Sequence, residues 1–321
     1  MTPIAQAVIL AGGLGTRLKP FTLNHPKPMI PVNGKPFLVY LIELLKKNGI
    51  KEVIILTGYL SEKIENYFGD GTKFGIRIKY SYTPFLNDSG EENKSGIRLK
   101  NAVNMLDNYF LLLYCDNYWP LELKKIESYY KTHPSEVLVT VYSNKDNSTK
   151  NNILVNKGYI IKYDKERKDT NLNGVDIGFF IVNKKALNLL PKTNSVFETI
   201  VIPNLISQKK LSGFITDQKY YSIGDPNKAK ITAKFLAPKK IVFLDRDGVI
   251  NKKAPKAEYI KNWSEFEFLP GSLEAIKLLK SKGYKVFVIS NQSGIARGMM
   301  TIKNLNLIHE NMQKEVKKNG G

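Results

Sequence analysis

Two stretches of this 321-residue chain put residue types suited to phosphate chemistry directly after apolar runs. The first is AVILAGGLGTRL, residues 7–18. Its glycines let a backbone approach phosphate oxygens closely, with amide hydrogens turned inward. Arg17 adds a planar cationic fork that fits the same oxygens. No GK[ST] closes the loop, so it is not a P-loop, and Leu18 stands where a dinucleotide fingerprint needs its third glycine. The second is FLDRDGVIN, residues 243–251, with Asp245 and Asp247 at i and i+2. At that spacing one carboxylate can attack as nucleophile while the other, on the turn, handles the proton. YCDNYWP, residues 114–120, and VISNQSGIARG, residues 288–298, supply further polar groups just past apolar runs.

Elements must hold these groups. AVILA (7–11), EVIILTG (52–58), IRIKYSY (76–82), YFLLLYCD (109–116), VLVTVYS (137–143) and VDIGFFIV (175–182) read as strands. Residues 35–50 and 121–133 have helical spacing. Strand and helix in alternation predict an α/β fold, a mostly parallel mixed sheet of Rossmann-like type with helices on both faces. Ligands in such sheets sit at the carboxyl ends of strands, where AGGLGTR and CDN fall. A composition change near residues 237–240 predicts a linker between a domain over 1–236 and a second over 241–321. In the second, 270–283 reads as a helix with Gly283 as C-terminal cap, 284–290 as a strand, and 301–321 as a helix with Thr301 as N-cap.

With 42% hydrophobic residues the chain can bury a sizeable core. No apolar run approaches the roughly 20 residues that span a bilayer, so no membrane partner is expected. One cysteine, Cys115, allows no intramolecular disulfide, which predicts a reducing, cytoplasmic setting. The net charge of +20 raises nucleic acid as a partner. The lysines are scattered in pairs along helix faces, with no helix-turn-helix, zinc finger or RNA-binding aromatic signature. The expectation is therefore no nucleic acid, and a surface that favours anionic substrates. The oligomeric state stays open, a homo-oligomer included.

Residues 10–36, LAGGLGTRLKPFTLNHPKPMIPVNGKP, resemble the sugar-phosphate nucleotidylyltransferase family, whose pattern is GGxGTRLxPLT followed by PKPM and a GKP-like triplet. The resemblance weakens but continues to about residue 236. It implies transfer of a nucleoside monophosphate from a nucleoside triphosphate to a sugar 1-phosphate, with release of pyrophosphate and with Mg2+. It implies that Leu10, Ala11, Gly12, Gly13, Gly15 and Thr16 wrap the triphosphate, and that Arg17 neutralises the leaving pyrophosphate. Lys27 would hold phosphates at the reacting centre and Asp116 would bind the metal. Lys165, Gly174 and Asp176 would meet the sugar phosphate, and Ser95 and Gly96 the nucleobase. Two segments depart from the pattern. Ser222, in YYSIGDP, takes the place of the second metal aspartate, which leaves Asp225 as a candidate substitute. NKSGIRLKNA, residues 93–102, keeps only part of the base-reading loop. A binding protein without turnover is the reading that the Ser222 departure leaves open.

The pair DRDGVIN and SNQSGIARG resembles the haloacid-dehalogenase phosphatase superfamily, in the subgroup acting on heptose 1,7-bisphosphate and histidinol phosphate. That resemblance implies Asp245 as nucleophile, Asp247 as acid/base, Mg2+ on both, and Ser290, Asn291 and Arg297 as phosphate and substrate ligands. The superfamily's later lysine, acidic metal ligand and zinc loop are not in the sequence. The expectation is an incomplete, truncated α/β domain without phosphatase turnover, in a chain built like bifunctional proteins that make activated heptose for surface polysaccharide.

Overall fold

The computed structural model describes residues 3–256 and 258–321. The chain divides into two compact units between Leu236 and Ala237. The first is built on a nine-stranded sheet: β1 (Gln6–Leu10), β2 (Glu52–Thr57), β3 (Arg77–Tyr82), β4 (Tyr109–Tyr114), β5 (Val137–Tyr142), β6 (Ile153–Asn156), β7 (Tyr159–Tyr163), β8 (Val175–Asn183) and β9 (Leu211–Thr216), in the order β3-β2-β1-β4-β8-β5-β9-β7-β6. β1 lies between parallel β2 and β4, and β2 pairs parallel with β3. Its Ala7, Val8 and Ile9 are fully buried, as both faces of a parallel sheet demand.

The sheet is mixed rather than mostly parallel. β8 runs antiparallel to both β4 and β5, and β7 antiparallel to β9 and β6. The physical source is a hairpin. Lys157 and Gly158 both take positive φ, 47° and 82°, the pairing a tight two-residue turn between antiparallel strands needs. It joins β6 to β7 with Tyr159 opposite Asn156. Helices α1 (Phe37–Lys47), α2 (Ser61–Phe68), α3 (Ser95–Asn101), α4 (Leu123–Thr132), α5 (Phe197–Ser207) and α6 (Pro226–Leu236) accompany the sheet. Two apolar clusters form the core, one containing Leu38, Leu41 and Ile42 of α1, the other Phe197, Val201 and Leu205 of α5.

The second unit holds two parallel strands, β10 (Ile241–Asp245) and β11 (Lys285–Ile289), with α7 (Ser272–Ser281), the short α8 (Ser293–Ala296) and α9 (Ile302–Lys318). Gly283, at φ 79°, ends α7 with Tyr284 N donating to Leu279 O at 3.0 Å and Gly283 N to Lys280 O at 2.9 Å, a Schellman arrangement. Thr301 Oγ1 accepts from Asn304 N at 3.1 Å and caps α9. Phe243 and Phe287 are exposed on the two-stranded sheet, their rings 5.7 Å apart. Among the described residues no helix is long and apolar enough to cross a membrane.

Candidate active site

The C-terminal ends of β1 and β4 open onto one cleft. Past Leu10 the chain turns at Gly15, whose φ of 67° only glycine adopts freely. Gly15 also lies on Lys27: a Cβ there would stand 3.0 Å from Lys27 Cβ. Thr22 Oγ1 donates to Gly15 O at 3.1 Å and fixes the loop from below. Lys27 Nζ in turn pairs with the Asp116 carboxylate, both side chains largely buried. Leu10, Gly13, Gly15, Thr16, Arg17, Lys27 and Asp116 thus line one cavity of about 310 Å³, joined by Glu92 and Tyr114.

Several expected nucleotide ligands do other work. Ala11 is buried and donates its amide to Leu56 O at 3.0 Å, which extends β1 by one residue. A Cβ on Gly12 would lie 2.3 Å from the Arg98 guanidinium, so this glycine makes room for a buried arginine. Ser95 and Gly96 line neither cavity of the cleft. Gly96 N donates to Ser195 O at 2.8 Å. Ser95 Oγ accepts from Phe197 N at 2.9 Å and donates to Glu198 at 3.3 Å. Both residues tie the start of α3 to the start of α5. Arg98, only 3% exposed, donates to Thr57 O at 2.8 Å and Thr83 O at 2.9 Å. It therefore joins the end of β2 to the chain just past β3 beneath the glycine loop. Burial lowers its pKa, with Glu92 opposing.

Where the resemblance expects a metal, Asn117–Tyr118 pairs antiparallel with Tyr221–Ser222, and Ile223 N donates to Asp116 O at 2.9 Å. Ser222 accordingly sits opposite Asn117 in this ribbon, next to Asp116. Its Oγ accepts from Gly224 N at 2.9 Å. Asp225, the candidate substitute for the missing aspartate, lines neither cavity. Its carboxylate accepts from Lys228 N at 2.9 Å and caps the start of α6, and those bonds lower its pKa. Among the described residues no group of three or more His, Cys, Asp or Glu is arranged to hold a metal.

A second cavity of about 570 Å³ shares Arg17, Tyr114, Asp116 and Gly224 with the first. Lys165, Arg167, Asn152, Asp176 and Glu198 line it. Asp176 is turned into it by a bulge: β8 shifts register against β5 between Asp176 and Phe180, with Gly178 at φ 76°. Gly178 N donates to Asp176 Oδ1 at 2.7 Å and Tyr163 Oη to Oδ2 at 3.2 Å. Desolvation outweighs these bonds and raises the Asp176 pKa to about 6. Gly174 is not a lining residue. It is buried, and a Cβ there would meet Val141 Cγ1 at 2.3 Å, so its smallness serves packing. Arg167, Tyr163, Asn152, Arg98 and Glu198 went unread in the sequence. Only Arg98 offered a signal, as a charge between the apolar Ile97 and Leu99.

In the second unit, Asp247, Asn291 and Arg297 line a cavity of about 380 Å³ with Arg246, Lys253 and Lys256. Asp245 and Ser290 lie outside that lining. Asp245 is exposed and accepts from Arg246 N at 2.8 Å. Asp247 takes both forks of the buried Arg246, at 2.9 to 3.2 Å, with Asn251 at 3.0 Å and Gln292 at 2.8 Å. Burial alone would raise its pKa, but the Asn251 and Arg246 bonds win and lower it.

The family model for nucleotidyl transferase matches residues 6–228. The chain belongs to that family. It is a nucleotidyltransferase of the sugar-1-phosphate type, with its cleft at the strand ends just described. D-glycero-alpha-D-manno-heptose 1-phosphate guanylyltransferase of Aneurinibacillus thermoaerophilus is 30% identical over 69% of this chain and 94% of its own length. The enzyme of the same description from Campylobacter jejuni is 32% identical over 69% and 95%. Among solved structures, HddC from Yersinia pseudotuberculosis complexed with GMP-PN shares the fold at a TM-score of 0.60 and 22% identity, over 72% of this chain and 99% of that one.

Proposed function

We propose that this chain transfers GMP from GTP to a heptose 1-phosphate of the D-glycero-α-D-manno type, with release of pyrophosphate and with Mg2+ as cofactor, in nucleotide-sugar synthesis for surface polysaccharide. The observation that carries this reading is the pair of relatives at 30% and 32% identity, each matched over nearly its whole length and each described by that same substrate pair. In this reading the triphosphate lies in the glycine-loop cavity and the sugar phosphate in the cavity of Lys165 and Asp176. An oxygen of the sugar 1-phosphate attacks the α-phosphorus, and the bond to the leaving pyrophosphate breaks. Arg17, lining both cavities, offsets charge on the two anionic substrates. No covalent intermediate is needed; positioning and electrostatics supply the rate.

The residues fit Mg2+ borne by the substrate. That ion keeps several waters and takes one or two carboxylates plus phosphate oxygens. Asp116 supplies the carboxylate and Ser222 a neighbouring hydroxyl. When bound, the ion would draw charge from the phosphates as they react. Lys27, paired with Asp116, orients that carboxylate and adds a cation beside it.

The deciding experiment measures pyrophosphate release from GTP, ATP, CTP, UTP and dTTP against heptose, mannose and glucose 1-phosphates, with and without Mg2+. Release confined to GTP and heptose 1-phosphate, and lost in Asp116→Ala, is expected. Release with another base or sugar would reassign the substrates. Nucleotide binding without release for any pair would favour a binding protein, the reading that Ser222 motivates.

The second unit supports a narrower reading. Lys253, Lys256, Asn291 and Arg297 around one cavity suit a phosphate ester. The superfamily's later lysine and acidic metal ligand, absent from this sequence, are what turnover would need. Incubation with heptose 1,7-bisphosphate is expected to release no phosphate; release that stops in Asp245→Asn would establish the phosphatase.

A further inference from the structure

The sugar-side cavity contains a carboxylate that the reaction described above does not use. Glu198 stands in the first turn of α5 and is 6% exposed, yet it lines the cavity. Its one side-chain partner among the described residues is Ser95, on Oε2 at 3.3 Å, longer than an ordinary hydroxyl bond, and its own backbone N–H also supports the charge. No side chain of another residue donates to Oε1 among the described residues. No lysine or arginine pairs with Glu198 among the described residues. Buried carboxylates are almost always paired or fully hydrogen-bonded, so this one is underfilled. The helix start supplies part of the compensation, and desolvation still raises its pKa. Ser95 holds the carboxylate from behind: the same hydroxyl oxygen accepts from Phe197 N at 2.9 Å.

The cavity's charges are divided. Arg17, Lys165, Arg167, Lys219 and Lys228 suit a phosphate, while Asp176 and Glu198, with Asp116 at the border of the first cavity, are acceptors. A ligand that uses both sets carries an anionic group and several hydroxyl donors. We propose that Glu198 is a specificity-determining residue, its free oxygen accepting a hydrogen bond from a ring or side-chain hydroxyl of the sugar 1-phosphate. The inference rests on reading this cavity as the sugar-phosphate site. The structural alternative is that Glu198 only anchors α3 to α5 through Ser95.

The test compares the full-length chain with Glu198→Ala and Glu198→Gln by pyrophosphate release, using whichever sugar 1-phosphate the unmodified chain turns over and monodeoxy analogues of that sugar. Loss of a hydrogen bond to a charged group predicts a rise in KM for the sugar phosphate of about 10- to 100-fold in the alanine variant, with KM for the nucleotide changed less than about threefold. One deoxy analogue should be discriminated against by the unmodified chain and by neither variant to the same degree. Glutamine conserves the volume against α5 and Ser95, so that variant reports on the charge even if the alanine variant is unstable. Equal discrimination against every analogue in all three proteins would overturn the proposal, as would a fall in melting temperature with KM unchanged. If the unmodified chain turns over no sugar 1-phosphate, the site reading itself has failed, a different result from a variant that matches its parent.

Discussion

Asp176 and Asp116 are both carboxylates of one cleft, and their surroundings separate their roles. Asp176 has a pKa of about 6 because burial penalises its charge, above the roughly 3.9 of an unfolded aspartate. The folded chain therefore holds this proton more tightly. The resulting stability is present below about pH 4 and is lost as pH rises through about 6. Catalysis should run the other way, since only the ionised carboxylate accepts two hydroxyls. Asp176→Asn should lower kcat/KM for the sugar phosphate by about 10-fold at pH 8 and flatten the acid limb of the pH profile. The substrate phosphate also titrates near pH 6, so the difference between the two profiles is the measurement. At Asp116 the expected loss is larger. Asp116→Asn keeps the shape but weakens the pairing with Lys27, and pyrophosphate release should fall by at least about 100-fold while nucleotide binding, read by calorimetry, survives. The placement of Arg17, Lys27, Asp116, Lys165 and Asp176 was legible in the sequence, because each follows a strand or turn within a recognisable pattern. Ser95, Gly96, Gly12, Gly174 and Asp225 also make packing or capping contacts that the sequence did not show, for a common reason. Their types suit a ligand equally well as a packing contact or a cap, and only the fold says which neighbour arrives first.

Elements near the cleft are joined through α3. Arg98 reaches the end of β2 and the chain just past β3 and lies between Gly12 and Gly58, where added Cβ atoms would meet its guanidinium at 2.3 and 2.4 Å. Gly12→Ala must then displace a charged group that has three carbonyl partners, on Asn93, Thr57 and Thr83. Arg98→Ala removes a donor from each of those carbonyls, of which Thr57 O keeps the Thr83 amide, and opens a void. Each single change should cost about 2–4 kcal/mol in urea unfolding. The double variant should cost less than their sum, since removing Arg98 relieves the clash at residue 12. Additive costs would mean that the two sites do not share this contact. A simpler element test is Thr301→Ala, which removes the cap of α9 and should cost about 1 kcal/mol. The parallel strands β1, β2 and β4 were visible as apolar runs, and β3 as an alternating one. The hairpin of β6 and β7 was not, because Tyr159–Tyr163 has an irregular burial pattern and its turn is Lys-Gly instead of the commoner Asn-Gly. Missing that hairpin is what made the sheet look parallel, since it inverts the direction in which β8 returns.

At the scale of the molecule, the cleft belongs wholly to the first unit. Every residue lining its two cavities falls before position 233, the family match ends at residue 228, and the apolar clusters of the first unit contain no residue beyond Leu236. The second unit has a small core of its own around Ile250, Ile276, Ile308 and Met312. Its two-stranded sheet leaves Phe243 63% exposed, with Phe287 and Ile289 also exposed. A sheet of two strands is marginal as an independent fold, and exposed apolar strands favour association. The chain cut after Leu236 should therefore keep kcat/KM for pyrophosphate release within about threefold of the full chain, as expected when a unit has its own core. It should also stay monodisperse at concentrations where the full chain associates, read by light scattering. Retained activity with unchanged nucleotide dependence would assign the transferase to the first 236 residues. A loss of more than about tenfold in a piece that still melts cooperatively would mean that the second unit contributes to the catalytic state through an interaction, and charge-reversal of Lys253 and Lys256 in the full chain would then show whether its cationic cavity takes part.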